Sequence, residues 1–522
     1  MYRRLTSLTA ARIALCGLVV IQAAFAFVLD GPLTGDDHYA LWTAHSLWAG
    51  DVLDRDVFDP GTPLQTLLSY AGQLATGHRP LSEGLMAATF RVAGVVLTYL
   101  LAHKTTGSRW SAVAIAIIVA VLLLPSGVYA ADRIVVYPGA ILLAWRYLSS
   151  PATRSTVPLG IITAIAFLFR HDHGLFIGIP LFLAILWTRR SPVPFLVAAF
   201  LVVLPWLIWV QSTEGLIGYF TTRLHFSAAL GLVDTRPRLG LAFDPFLTSD
   251  NYMRVLWQGA VIATAGALAV AVWRKDARIA VLALVAAFAE AGIMRELGRY
   301  PELAALWLPL GGWLLSRPRR SIALPLSVAA MVIVGGSAIA ATNAFREIRQ
   351  IARQGGGLRH RLTETVRLQT IYPPIDLYAP PGTTDDKLLV RYVHECLDPQ
   401  DRVWETSIWF PLPYESERRA VEHVYWMKGF RKEHDAEFAK ALPGKGFPPL
   451  IVTRYMKDPL DAFKDYPETR ALVAREYEPI VSPRLAEFRS TVVDVQLLKL
   501  RARPVTGVFM PLDLPCFRRT DQ

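Results

Sequence analysis

Apolar residues in this chain come in runs too long and too numerous for one water-soluble core. Approximate runs cover 13–29, 85–102, 110–125, 134–148, 157–169, 174–188, 193–211, 255–273, 279–294, 301–315 and 321–341, and they stop near Thr342. Several reach the ~17–20 residues that cross a hydrocarbon core. Others are shorter and need partner helices or re-entrant geometry to satisfy their backbone. The pattern predicts a mostly α protein, a polytopic transmembrane helical bundle of about 11 spans. With 53% hydrophobic and only 19% charged residues, disorder, collagen and an extended coiled coil are excluded.

The net charge of +11 would fit nucleic-acid binding if the basic residues formed one patch. They do not. Arg3, Arg4 and Arg12 precede or open the first run; Lys104 and Arg109, Arg146 and Arg154, Arg189 and Arg190, Arg274, Lys275 and Arg278, and Arg317, Arg319 and Arg320 fill every second connection. Asp276 is nearly the only acid among them. That is the positive-inside bias of a membrane protein with a cytoplasmic N-terminus, and nucleic acid is not an expected partner. Arg3, Arg4, the apolar stretch and Ala24-Phe25-Ala26 resemble a signal peptide with its cleavage site. The run is long for a signal and more follow, so it reads as an uncleaved first helix. The bundle is assigned to residues 1–342.

An odd number of spans places residues 343–522 on the outer side, in a periplasm or its equivalent, with the bundle in the cell inner membrane. This tail reads as a small extracytoplasmic α/β domain. Helices are expected at Asp385–Leu397 and Pro459–Val473, and strands at Asp401–Trp404, Pro449–Thr453 and Thr491–Leu500. Gln354–Gly357 is the clearest linker. Cys396 and Cys516 both fall here, either as a disulfide in an oxidising compartment or as two buried thiols. Cys16, in the first run, reads as packing.

Two outer connections, about 30–84 and 212–254, are longer than the rest, and long loops in compact proteins tend to be functional. In the first, Asp36 and Asp37 stand just beyond the first span. Adjacent carboxylates at a membrane surface repel and are partly desolvated, which suits one of them to general-base work. Asp36 is also placed to cap a helix through Tyr39, Trp42 and Leu47. In the second, Tyr219–Phe226 reads as an amphipathic interfacial helix containing Arg223 and His225, which either guides a lipid tail or packs on the membrane surface.

Charged residues at the outer ends of spans are costly at membrane depth and are candidate functional residues. They are Asp132-Arg133, Arg170-His171-Asp172-His173, Arg295-Glu296 and Arg299-Tyr300-Pro301-Glu302. Arg170–His173 interrupts an apolar stretch and reads either as a binding site or as a tight turn with an Arg–Asp pair. His171, Asp172 and His173 are also candidate ligands for a divalent metal ion, although alternating ligands lack a third partner in the sequence. Arg91 and Glu290 lie inside runs and read as an internal ion pair.

The order Asp36-Asp37-His38-Tyr39, Gly50-Asp51, then Asp56 to Pro60-Gly61-Thr62-Pro63-Leu64 resembles the GT-C superfamily of polytopic glycosyltransferases. That superfamily includes protein O-mannosyltransferases and the bacterial transferases that put aminoarabinose on lipid A. Tyr392–Cys396, Asp401–Val403 and Tyr414–Arg418 are similar to the tail of bacterial members. The acid pair departs from the family's Asp-Glu. The resemblance implies transfer of a sugar from a polyprenyl-phosphate donor to a glycan, lipid or protein acceptor at the outer face. It implies Asp37 or Asp36 as the base, Arg170, His171, Arg133 and Arg299 toward the donor phosphate, and His38, Tyr39, Asp56, Asp132 and Asp172 toward the substrates. The alternative is a transporter or flippase for a lipid-linked substrate with an appended periplasmic domain. Such proteins show internal repeats, and none is visible here. A third reading is a membrane anchor for a periplasmic binding module.

Overall fold

The computed structural model describes residues 2–28, 36–57, 59–123, 133–234, 252–293, 302–316, 357–371, 385–406, 412–421, 435–454, 458–482 and 495–519, with single positions at 346, 349 and 353. Every apolar run within these residues is helical. The runs form α1 (Tyr2–Val28), α4 (Leu81–Thr106), α5 (Arg109–Leu122), α6 (Arg133–Ser149), α7 (Val157–Phe169), α8 (His171–Trp187), α9 (Val193–Thr213), α11 (Tyr252–Trp273), α12 (Ala277–Ile293) and α13 (Ala304–Leu315). Between and beyond them lie α2 (Asp36–Trp48), α3 (Pro63–Thr76) and α10 (Leu216–Asp234). Among the described residues, α4 and α9 are long and apolar enough to cross a membrane alone, while α5, α8 and α13 are shorter apolar helices. The run at 321–341, and with it the full number of spans, lies outside the described residues.

The stretch 30–84, read as a long connection with one helix capped by Asp36, holds two helices, α2 and α3, before α4 begins. Pro63 sits at the first position of α3, where its missing N–H costs nothing, and Gly77 ends the helix with a left-handed φ of 70°. Gln73 Nε2 donates to Leu41 O at 3.2 Å and Ser69 Oγ to Ala40 O at 3.3 Å, so α3 lies on α2. Ser69 Oγ is also hydrogen-bonded to the buried Glu83 at the start of α4. The second long stretch contains α10, as its amphipathic pattern predicts; its remainder falls outside the described residues.

The bundle has two chemically different ends. At one end the basic connections meet. Arg278 stacks over Trp145 at 5.4 Å, and Tyr147 OH bonds Thr188 Oγ1. Arg189 and Lys275 take left-handed φ values of 53° and 56° as they close α8 and α11. Cations at those C-termini complement the helix dipoles. At the other end the starts of α6, α8 and α13 converge, tied by the buried pair Arg133–Glu302 and by His173. The core between the ends is a continuous cluster from Leu101 to Leu314. Gly160 lets α7 approach α9 closely, because a Cβ there would overlap the carbonyl oxygen of Phe195. Glu290 accepts a hydrogen bond from Thr264 Oγ1 at 2.7 Å, in place of the ion pair with Arg91 expected from sequence.

The C-terminal region has α14 (Gly357–Thr370), α15 (Asp385–Cys396), β1 (Arg402–Glu405), α16 (Leu412–Glu415), β2 (Arg419–Ala420), α17 (Asp435–Lys445), β3 (Leu450–Arg454), α18 (Pro467–Glu476), β4 (Tyr477–Pro479), β5 (Val495–Leu500), β6 (Gly507–Phe509) and β7 (Leu514–Cys516). The five-stranded sheet runs β2-β1-β3-β5-β4, with β1 parallel to β2 and β3 and β5 antiparallel to β3 and β4. One face packs on α15 through Leu389, Val393 and Leu497; the other holds Trp404, Phe463 and Leu498. Cys396 and Cys516 form a disulfide that joins the end of α15 to β7. Of the sequence alternatives for these cysteines, this is the bonded one. The expected helix Pro459–Val473 is split into a short 3₁₀ turn, Pro459–Phe463, and α18, because Pro467 restarts the helix.

The sheet docks on α2 and the turns that flank α3. Asp51 accepts from Arg402 of β1 at 2.7 Å and from Arg419 of β2 at 3.3 Å. Tyr414 OH donates to His78 O at 3.2 Å, and its ring meets His45 edge-on at 5.9 Å.

Candidate active site

The turn between α2 and α3 carries four aspartates, and each has a different task. Asp51 faces the C-terminal sheet. Asp56 accepts from Val52 N at 2.9 Å and pairs with Arg55 at 2.6 Å, which closes a tight turn around Asp54. Asp54 takes a left-handed φ of 70°, a conformation Asp tolerates better than most residues. Asp59 is fully buried; its Oδ1 accepts from Thr62 N at 2.8 Å, setting the chain up for α3.

Helix α10 completes the cluster. Arg223 donates to Asp54 Oδ1 at 2.8 Å, to Glu214 Oε2 at 2.6 Å and to the Asp59 carbonyl at 2.8 Å, and its guanidinium lies 3.7 Å above the Tyr219 ring. Burial, then the charge of Asp59, pushes the Asp54 carboxyl up to about 8 against the pull of Arg223.

Tyr219 OH lies 3.1 Å from Asp59 Oδ2 and 2.8 Å from His171 Nε2. His171 Nδ1 lies 2.9 Å from Phe167 O. A carbonyl only accepts, so Nδ1 carries a hydrogen. With that hydrogen on Nδ1, His171 offers Nε2 as an acceptor, so the single hydroxyl hydrogen of Tyr219 is shared between Nε2 and Asp59 Oδ2. Gly61, at φ +98°, leaves room for this: a Cβ there would press on the His171 ring at 3.3 Å.

The polar break expected at Arg170–His173 is present. Arg170 is a single extended residue between α7 and α8, and it pairs with Asp172 at 3.0 Å. The four residues diverge. His171 turns to Tyr219. His173 is buried and accepts from Arg133 Nε at 3.3 Å, so its Nδ1 carries the hydrogen and donates to Tyr137 OH at 2.8 Å. Arg133 NH1 meets Glu302 at 2.8 Å. Arg133, Arg170, Asp172 and His173 line a gap of about 10 Å³, the room of one water rather than a phosphate. His171, Asp172 and His173 therefore do not share one ligand, and among the described residues no three His, Cys, Asp or Glu side chains are grouped to hold a metal ion.

Asp36, Asp37, His38 and Tyr39 form the first turn of α2, and their side chains lie outside the described residues. Asp132 and Arg299 lie outside them entirely. Of the residues singled out from sequence, Arg133, Arg170, Asp172 and His173 come together, His171 joins the second cluster, and Asp56 serves the turn. Asp54, Asp59 and Glu83 were not singled out. Tyr219 and Arg223 were read as an interfacial helix; nothing in the sequence signals that they meet Asp59 from some 160 residues away.

No family model and no curated protein matches the chain. Among solved structures, ArnT from Cupriavidus metallidurans bound to undecaprenyl phosphate is similar over 94% of this chain and 98% of its own, at 13% identity and a TM-score of 0.49. The oligosaccharyltransferase of Archaeoglobus fulgidus in complex with Zn and sulfate is similar over 89% of this chain and 72% of its own, at 13% identity and a TM-score of 0.43. Likeness at this level leaves the chemistry to the side chains.

Proposed function

We propose that the chain is a multi-pass membrane glycosyltransferase, seated in the cell inner membrane with its C-terminal domain on the periplasmic side. It moves a sugar from a polyprenyl-phosphate donor to a glycan, lipid or protein acceptor. The observation that carries this reading is the gathering of one polar end. The starts of α6, α8 and α13 meet there through Arg133, His173 and Glu302, next to the buried Asp54–Asp59–Arg223 cluster that His171 joins. Helix N-termini carry partial positive charge and attract phosphate.

In this reading Arg170 and the first turn of α8 hold the donor phosphate once Arg170 exchanges Asp172 for it. Arg133 supports His173 from behind, and Arg299 closes the phosphate site. Asp37, on the first turn of α2, accepts the proton of the acceptor hydroxyl. The new bond forms between that oxygen and the anomeric carbon. The bond from the anomeric carbon to the phosphate oxygen breaks, and the electron pair leaves on polyprenyl phosphate. Cations at the departing phosphate stabilise the charge that develops there. Asp36 supports the start of α2, and His38 and Tyr39 face the sugar.

The test is transfer of radiolabelled sugar from a purified polyprenyl-phosphate donor, with and without EDTA. Asp37→Asn should slow transfer by about 10²–10⁴-fold, the usual contribution of a general base, with an unchanged thermal melt. Full activity in Asp37→Asn, Asp36→Asn and the double variant would falsify the mechanism. A loss on EDTA that a divalent ion restores would add a metal to the donor site.

A further inference from the structure

Where the C-terminal sheet docks on α2, a cleft of about 610 Å³ stays open. Its walls come from both sides of the junction: His45 and Trp48 from the last turns of α2, and His394, Arg418, Arg419 and Arg518 from the C-terminal domain. Three guanidinium groups outnumber the single carboxylate of the lining, Glu417.

Two buried atoms in this lining lack hydrogen-bond partners. Arg418 is 97% buried, since only 3% of its surface is exposed. It is locked by donation to the carbonyls of Ser416, Glu417, His394 and Leu397, yet its Nε meets no acceptor. Among the described residues it makes no ion pair. The carboxylates of Glu417, Asp401 and Asp398 act on it from beyond ion-pair distance, and an anion in the cleft would supply the acceptor that Nε lacks. His45 Nδ1 is likewise buried and unpartnered. Burial, then the charge of neighbouring His78, lowers His45 to about 4, so at neutral pH it meets a ligand as a neutral imidazole. Arg519 is drawn to Asp398, whereas Arg518, beside it, is exposed. Trp48, 43% exposed, stacks one face on His78 at 3.7 Å. Aromatic faces carry negative charge and suit the C–H edges of a sugar ring.

We propose that this cleft binds the anionic group of an oligosaccharide acceptor. Arg418 and Arg518 hold a phosphate or carboxylate, His45 meets a hydroxyl, and Trp48 takes a sugar ring. The word acceptor rests on the transferase reading; the anionic-saccharide site does not. Trp48 lies eleven residues along α2 from Asp37, roughly 16 Å at the helical rise. One saccharide can therefore reach the first turn of α2 only if it is several rings long.

The experiment is calorimetric titration of the full-length protein in detergent with inorganic phosphate, glucose, glucose 6-phosphate and trigalacturonic acid. Glucose 6-phosphate or trigalacturonic acid should bind at least about tenfold more tightly than phosphate or glucose, because ring and anion are then held together. The two anionic probes distinguish phosphate from carboxylate. Arg518→Ala, which removes an exposed side chain, should weaken that binding about tenfold, the scale of one charge-assisted hydrogen bond. Trp48→Ala should weaken it as well, and Arg170→Met should retain it. If Trp48→Ala does not fold, Arg518→Ala decides alone. Binding indifferent to Arg518→Ala, binding lost in Arg170→Met instead, or no binding of any probe up to about 10 mM overturns the site. If wild type binds in the cleft but consumes no polyprenyl-phosphate sugar, the transferase reading falls and the site stands.

Discussion

Tyr219 has one hydroxyl hydrogen and two buried neighbours, Asp59 and His171. Tyr219→Phe keeps the ring under Arg223 but leaves both neighbours without their bond, and a stranded buried polar group costs about 1–3 kcal/mol. A lower melting temperature in detergent, with Tyr219→His no better, is the expected outcome; an unchanged melt would mean that water replaces the hydroxyl. Asp54 offers a pH test. Its folded-state carboxyl is raised from an ordinary 3.8 to about 8. Between those values the folded protein keeps a proton that the unfolded chain releases, so this group's stabilisation is full at low pH and is lost as pH rises toward 8. Asp54→Asn cannot titrate. The difference in melting temperature between wild type and Asp54→Asn should therefore shift against wild type from pH 5 to pH 8. A constant difference would mean that Arg223 holds Asp54 ionised throughout.

The helices meet their neighbours through small residues as much as large ones. At Gly160 a side chain would strike the Phe195 carbonyl, which is backbone and cannot turn aside. Gly160→Val should separate α7 from α9 and cost about 1–3 kcal/mol or more, as overpacking does. Gly17 on α1 has open space around a Cβ, so Gly17→Ala should be neutral or mildly stabilising; paired melts and membrane yields check both. In the C-terminal domain, Cys396→Ser should lower stability by about 2–4 kcal/mol, as the loss of a long-range crosslink does, measured by denaturant titration with and without reductant. The apolar runs and the three strands were legible in sequence because burial imposes helical and alternating periods on side chains. Within 30–84 the Asp36 cap and the Tyr39, Trp42 and Leu47 spacing announce α2, whereas α3 is harder to read because it mixes apolar and polar residues and rests on α2. Arg133 was legible as a charge at a span end, but its commitment to Glu302 was not, since an ion pair across 169 residues leaves no local pattern. Asp59 was in view inside the motif; its role depends on α10, which only the packed structure brings near.

As a whole the molecule is a bundle with a basic end and an end where Arg133, His173 and Glu302 gather, and a sheet is fastened on the second. The charge alternation predicts Arg189 in the cytoplasm and the C-terminus outside. A C-terminal alkaline phosphatase fusion should be active, and a reporter at 189 should behave as cytoplasmic; the reverse pattern would turn the proposed donor site to the wrong side of the membrane. The sheet is held by Asp51, gripped by Arg402 and Arg419. Asp51→Ala leaves two cations facing each other, and faster trypsin release of the C-terminal domain should follow. Asp51 also belongs to the same short turn as Asp54, Asp56 and Asp59. The grip that holds the sheet is thus continuous with the peptide that pins α10 and His171 in place. A compound in the cleft and a ligand held by this turn that both bind the docked arrangement more tightly than the loosened one tighten each other, and by the same factor. Loading at one end then reports on loading at the other without any contact between the two ligands.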